Sequence, residues 1–328
     1  MRLAVPLEID AAVLAGWRRD APLAELRGET MGTVWSVRMA CPPELDSAGV
    51  AEAITARLEE ILAQMSHWRA DSVLGRFNRA PGGAWFVLPP DFARVMEAGL
   101  AVAACSGGAF DPAIGELVNL WGHGPVSREA PPGRDELAAA RTRAGWQRLA
   151  YEPETRRLRQ PGGLQLDLSG IAKGFAVDAL AQLLRGRGCH HALVEIGGEL
   201  VGMGMRPDGD PWWVDLETPE SGIAPFRVAL HQLAVATSGD YVRGRHTIDP
   251  RTGLPVEHAM AVSVIHEEAI LADVWATALG VLPPDEMQAL ASSEGLCVRA
   301  LVRRDGSVVE WISPALEALV CEVGEEAL

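Results

Sequence analysis

Residues 166–184 read LDLSGIAKGFAVDALAQLL. An apolar run ends at Leu168, Ser169-Gly170 break it, and from Ile171 apolar positions recur at helical spacing. The stretch is therefore predicted to pass from a strand through a tight turn into an amphipathic helix. Lys173 falls in the first helical turn, and it is the only lysine among the 29 lysines and arginines of the chain. A sequence that writes every other such cation as arginine, yet keeps an ammonium here, uses a compact point charge where a planar guanidinium would not serve. Backbone N–H groups freed at the start of a helix, with Gly170 and Gly174 admitting a ligand or a neighbouring backbone, make an anion site. A plainer reading has Gly170 close the turn, Gly174 let the helix pack on the sheet and Lys173 reach water; the lysine count favours the phosphate role. Neither G-x-x-x-x-G-K-[ST] nor G-x-G-x-x-G is present, so this is not a nucleotide P-loop or a dinucleotide fingerprint.

Outward from this stretch the pattern changes character. On its N-terminal side, residues 29–40 alternate as a strand, and residues 48–65 put Ile54, Leu58, Ile61, Leu62 and Met65 on one helical face. A second helix is predicted over 91–105 with Asp91 as its N-cap, and a third over 135–144. WQRLAYEPETRRLRQ follows as a hairpin turning at Glu152-Pro153-Glu154-Thr155. On the C-terminal side come short strands: HALVEIGG, ELVGMGM, PWWVDLE, FRVALHQ, LAVATSG and AVSVIH. One strong helix, 269–281, interrupts them before a strand pair about Asp305-Gly306. Helices first and strands second, without regular βαβ alternation, predict an α+β fold. Residues 1–28 read as an N-terminal extension to a domain over 29–328, with the Pro/Gly-rich 122–134 as a possible subdomain boundary or a long surface loop.

The 328 residues are 48% apolar, enough for a sizeable core, and no run of about eighteen apolar residues spans a bilayer. Charges at Glu8, Asp10, Arg18 and Arg19 interrupt the N-terminus before any signal-like segment forms, and no lipobox is visible, so a cytoplasmic protein is expected. The five cysteines, Cys41, Cys105, Cys189, Cys297 and Cys321, form no C-x-x-C pair and read as buried fillers in a reducing compartment. A net charge of −15 argues against nucleic acid or anionic membrane as partner. An anionic ligand would need local cations.

Two further groups carry chemistry. Asp273 and Thr277 stand four residues apart on the predicted helix, so both oxygens project from one face; with a backbone carbonyl they suit magnesium bound together with a phosphorylated substrate. Helix dipole and back-bonding explain the same two residues without a metal. The loop SGDYVRGRHTIDPRTG, 238–253, gathers Ser238, Asp240, His246, Asp249, Arg251 and Thr252. DPRTG is a plain turn, but His246 is a fair general base near neutral pH. His190, His191, His231, His258 and His266 read as surface or strand histidines.

Taken together these segments resemble the ApbE family, the FAD:protein FMN transferases. The resemblance runs through MGTVWSV (31–37), MSHWRADSVLGRFN (65–78), GGAFDPAIGELVNLWGHG (107–124), LDLSGIAKGFAVDAL (166–180), ALVEIGGELVGMG (192–204), TSGDY (237–241), HTIDPRTG (246–253) and ADVWATAL (272–279). It implies a T-fold-related α+β fold with antiparallel or mixed sheets and packed helices. It also implies FAD held with Mg2+, and transfer of the FMN half to a threonine hydroxyl of an acceptor protein such as an electron-transport subunit, AMP leaving. Carried over, Asp273, Thr277 and the Ala172 carbonyl become metal ligands, and Lys173 with Ser169-Gly170 adjoins the diphosphate. Met31, Ser72, Asp111, Asp178, Gly197, Gly198, Thr237 and Ser238 border the FAD, and His246 takes the acceptor's proton. Trp68 stands where the family has a tyrosine against the flavin, Glu199 replaces an aspartate, and the segment between Tyr241 and His246 is short. FAD hydrolysis to FMN and AMP, or flavin binding without turnover, are the rival readings. Replacing Lys173 by arginine should cost both ligand affinity and activity, as read by FAD titration and AMP release; full retention of both would remove the case built on the lone lysine.

Overall fold

Period-two and period-3.6 patterns separate into sheet and helix in the computed structural model, which describes residues 2–6, 9, 11–14, 16–40, 45–126, 128, 130–220, 222–240, 244 and 246–322. The chain opens with β1 (Arg2–Ala4), β2 (Leu23–Thr30) and β3 (Thr33–Ala40), then α1 (Ser47–Met65), α2 (Val73–Arg79), β4 (Trp85–Val87), α3 (Pro90–Cys105), α4 (Gly115–Leu120) and α5 (Arg134–Arg143). The hairpin β5 (Ala150–Glu152) and β6 (Arg157–Arg159) leads to α6 (Ala172–Gly186). Strands β7 (Ala192–Ile196), β8 (Glu199–Met203), β9 (Trp212–Leu216), β10 (Phe226–Leu230), β11 (Leu233–Gly239) and β12 (Ala259–His266) follow. Then come α7 (Ala269–Val281), α8 (Pro284–Ser293), β13 (Cys297–Arg304), β14 (Ser307–Ile312), α9 (Pro314–Glu317) and β15 (Val320–Glu322).

Eight antiparallel strands form the main sheet in the order β14-β13-β12-β11-β8-β7-β3-β2. One face buries Val37, Val194, Ala236 and Val262 against the apolar stripes of α1, α3, α6 and α7. The opposite face packs through Leu193, Val235 and Ile265 on a second sheet, β15-β1-β10-β9, in which β1 runs parallel to β10. A small sheet, β4-β6-β5, completes the α+β architecture. Among the described residues no helix is long and apolar enough to cross a membrane.

Several expectations change. Residues 29–40 are not one strand: Met31 and Gly32 both take positive φ, 51° and 70°, and turn the chain between β2 and β3. Asp91 is not an N-cap; it sits in the first turn of α3, its carboxylate held by Arg57 at 2.6 Å and Gln64 at 3.1 Å. The run before Leu168 is buried but unpaired as a strand, its backbone bonded to Asn78 and Pro112 instead. Cys105 and Cys321 are exposed and Cys297 half-buried, so among the described cysteines only Cys189 is a buried filler; Cys41 lies outside the described residues. The short helices α2, α4, α8 and α9 and the strands β1 and β15 are additional to the elements expected.

Gly174 packs α6 against α7, a helix rather than the sheet. A Cβ there would lie 2.2 Å from the Ala269 carbonyl oxygen and 2.7 Å from Asp273 Cβ. Gly174→Ala must push the two helices apart and should destabilise the protein by about 2 kcal/mol or more. Gly186→Ala, in the same helix with nothing within 4 Å of the added methyl, should stabilise by about 0.5 kcal/mol. Urea unfolding of the pair reads the contrast.

Candidate active site

The turn at Ser169-Gly170 is fixed by Asp167, whose Oδ1 accepts from the Ser169 N–H (2.8 Å) and the Ser169 hydroxyl (2.6 Å). α6 starts directly behind this turn and lies along α7. Near the turn two hydrogen bonds join them: Gly174 N–H donates to Asp273 Oδ2 at 2.9 Å, and Thr277 Oγ1 donates to the Gly170 carbonyl at 3.3 Å. Gly170 admits Thr277 this closely because a Cβ would fall 2.8 Å from its Oγ1. The helical spacing of Asp273 and Thr277 thus places both oxygens against the turn.

From the other side the β7–β8 turn, Gly197-Gly198, with φ of 59° and 101°, delivers Glu199 to the Lys173 ammonium. Glu199 and Asp273 are 2% and 4% exposed, so one ammonium faces two buried carboxylates. Burial pushes both carboxyls above their ordinary range, Lys173 pulls each back, and Asp273 further raises Glu199. Glu199 Oε2 is buried with no hydrogen-bond partner.

These groups open on a cavity of about 950 Å³. It is lined by Met31, Trp68, Asp111, Ser169, Gly170, Ala172, Lys173, Gly197, Gly198, Glu199, Thr237, Ser238, His246, Asp273 and Thr277, all but two of the residues expected to hold the FAD or the metal or to act in catalysis; of the other polar residues of the 238–253 loop, Asp240 pairs with Arg303 and Asp249 with Arg251, and these with Thr252 do not line it. Ser72 is the first exception. It is 1% exposed and caps α2, accepting from Gly75 N–H at 2.8 Å and donating to Ser66 at 2.6 Å. Asp178 is the second: its two oxygens accept from Ala269 and Ile270 N–H, both at 2.9 Å, and cap α7. Both side chains hold walls and do not border the cavity. Thr237 Oγ1 bonds Ser263 Oγ at 2.8 Å, and Trp68 stands at the mouth with 64% of its surface exposed.

His246 is set by its own loop. Nδ1 lies 2.8 Å from the Gly244 carbonyl, which only accepts, so in the neutral ring Nδ1 carries the proton and Nε2 the lone pair. Two residues on, Ile248 is buried beside Leu117 and Ala140; Trp121 Nε1 donates to Gly253 at 2.8 Å and Arg141 to the Arg251 carbonyl at 2.7 Å. Residues 241–243 and 245, on which the shortened segment from Tyr241 falls, lie outside those described. His123, not singled out from the sequence, presents its ring edge-on to His246 with centroids 6.4 Å apart.

Sequence reading also missed His67, Asp167, Glu195, Asp215, Glu217 and Arg38 on the cavity wall. Asp167, two residues before the turn serine, is legible as an Asx turn; Arg38, Glu195 and Asp215 arrive on distant strands, Glu217 just past one and His67 on the turn after α1, and none carries a local signal. The lining holds seven carboxylates, Asp111, Asp167, Glu195, Glu199, Asp215, Glu217 and Asp273, against Arg38 and Lys173. Among the described residues no group of three or more His, Cys, Asp or Glu is arranged to hold a metal ion. The Asp273 carboxylate, the Thr277 hydroxyl and the Ala172 carbonyl form a hard-oxygen set that suits magnesium completed by water and phosphate. The carboxylate excess and the unpartnered Glu199 oxygen fit an added cation.

Residues 31–301 match the model of the ApbE family. The chain is 34% identical over 318 residues to an FAD:protein FMN transferase of Vibrio cholerae, covering 93% of this chain and 95% of that one. It is 31% identical over 310 residues to the FAD:protein FMN transferase of Escherichia coli K12, covering 90% and 88%. The structure of flavin transferase ApbE from Vibrio cholerae superposes with a TM-score of 0.86 at 34% identity, over 91% of this chain and 100% of that one. The apo flavinyl transferase ApbE of Pseudomonas stutzeri does so at 0.85 and 36%, over 91% and 96%.

Asp111 accepts from Ala113 N–H at 2.7 Å and Trp146 N–H at 3.0 Å, yet burial pushes its pKa from 3.8 to about 6. The folded protein then holds this proton more tightly than the unfolded chain, so stability falls as pH rises through that window and is level above it. The stability of wild type relative to Asp111→Asn should drop by about 3 kcal/mol between about pH 3 and 7, measured by urea unfolding across pH.

Proposed function

The chain belongs to the ApbE family and transfers the FMN half of FAD to an acceptor protein; we propose that it does so in this cavity, to a threonine hydroxyl of an electron-transport subunit, with magnesium. The observation that supports this most is the convergence of Lys173, Asp273, Thr277 and His246 on one acid-lined cavity. Asp273, Thr277 and the Ala172 carbonyl would hold the ion. Bound there, magnesium would neutralise diphosphate charge and polarise phosphorus.

The rest falls to the chain's own side chains. Lys173, held by Glu199, presents its ammonium beside the Ser169-Gly170 turn and offsets charge building on the leaving phosphate. Trp68 offers an indole face at the mouth for the flavin to stack on. His246 Nε2 takes the proton of the acceptor hydroxyl as its oxygen bonds the FMN-side phosphorus. The bond to the AMP-side bridging oxygen breaks and its electron pair leaves with AMP. Positioning and charge neutralisation supply most of the rate.

Mass spectrometry of candidate acceptor domains incubated with enzyme, FAD and magnesium tests this. A protein adduct of FMN mass with equimolar AMP is expected, whereas free FMN alone means hydrolysis and intact FAD means binding without turnover. Asp273→Asn should lower AMP release about a thousandfold and abolish its response to magnesium. His246→Gln should lower transfer about a hundredfold or more while FAD still binds.

A further inference from the structure

Five successive residues, Trp213 to Glu217, line the cavity. Side chains of a strand alternate between faces, so a strand that meets a cavity with one face contributes every second residue. Five in a row mean that the strand's edge, with its main chain, fronts the cavity. β9 is such an edge: it pairs with β10 from Trp212 to Leu216 and has no second strand neighbour among the described residues. The Leu216 carbonyl accepts from Thr218 and the Glu217 carbonyl from Arg299. The backbone over Trp213–Asp215 that faces away from β10 is a row of edge donors and acceptors. The strand, WWVDL, carries neither the proline nor the lysine that commonly blunts an edge.

Resting on the transferase reading, we propose that β9 is the docking edge for the acceptor protein. An extended acceptor segment flanking the target hydroxyl adds to β9 as the fifth strand of its sheet and so enters the cavity that holds His246 and Lys173. Main-chain pairing positions the segment, and alternate side chains then face the cavity and solvent, which lets one hydroxyl point inward. The wall also selects by charge. Arg227 offsets Asp215 at 2.6 and 3.0 Å, while Glu195 and the exposed Glu217 remain and favour a segment carrying lysine or arginine near the hydroxyl.

The probe is the acceptor domain that acquires FMN mass in the transfer assay. Amide hydrogen exchange of the full-length enzyme, with FAD withheld and that domain in excess, should slow within Trp213–Asp215 at alternate residues. Trp213→Pro, Val214→Pro and Asp215→Pro complement it. Where the lost N–H faced the cavity, acceptor KM should rise about tenfold, as one or two backbone hydrogen bonds imply, with FAD affinity unchanged. Where it faced β10, Tm should fall. Unchanged exchange over 213–215, or equal acceptor KM in every folded proline variant, overturns the strand addition. No FMN-labelled protein from wild type overturns the transferase reading itself, which separates the two failures.

Discussion

Two buried carboxylates share one ammonium in the seam between α6, α7 and the β7–β8 turn. Asp273 and Glu199 are almost wholly out of water, and Lys173 only partly offsets the cost of burying them. A charge deficit of this kind is costly to bury and persists only where the surroundings hold it in place. Here they do so by covalent geometry and hydrogen bonds together. Gly174 lets α6 lie against Asp273, Gly170 admits Thr277, and Asp178 satisfies the first N–H groups of α7 one turn before Asp273. The residues that would receive a cation are thus also the residues on which the helix seam is built, and stability and chemistry draw on the same contacts.

The second half of the site is organised independently. His246 depends on a small cluster away from the main core, where Ile248 packs on Leu117 and Ala140, while Trp121 and Arg141 tie down the turn at Arg251–Gly253. That arrangement holds the proposed base through contacts separate from the α6–α7 seam, so a change in the loop would alter the proposed proton transfer without disturbing Lys173 and Asp273. It also gives the 107–124 segment a role that its sequence does not announce: α4 and the Trp121 indole buttress a loop more than a hundred residues away.

Much of this was legible in the chain, and what was not has a common cause. Long periodic stretches such as 48–65 and 269–281 declared themselves because burial of one helical face leaves a regular trace. The α6 turn and its lone lysine point to an anion site because charge type and glycine placement are local properties. The strand expected before Leu168 failed because an apolar run reports burial and not pairing, and its backbone instead bonds Asn78 and Pro112. Ser72 and Asp178 were assigned to the ligand because a polar residue inside a family-like motif looks the same whether it caps a helix or faces a cavity. Only the partner atoms distinguish them. The acidic wall of Glu195, Asp215 and Glu217 was out of reach, since it forms only when two sheets stack.

The lone lysine can now be given a geometric reason. Arginines elsewhere in the chain fork onto single carboxylates: Arg303 onto Asp240 with both contacts at 2.8 Å, Arg227 onto Asp215, Arg251 onto Asp249. A planar fork in place of Lys173 would close on Glu199 in the same way and commit its donors to one plane. An ammonium spreads three donors tetrahedrally, so it can meet Glu199 and still bear on Asp273 and on an anion above the turn. The net charge of −15 does not oppose this. Distant surface charges are screened beyond about 8 Å at physiological salt, whereas a buried ammonium and two buried carboxylates act at contact range in a poor dielectric. On the proposed reading, binding of a diphosphate to so acidic a protein is therefore decided inside the seam, by the position of one side chain and the cation its neighbours would invite.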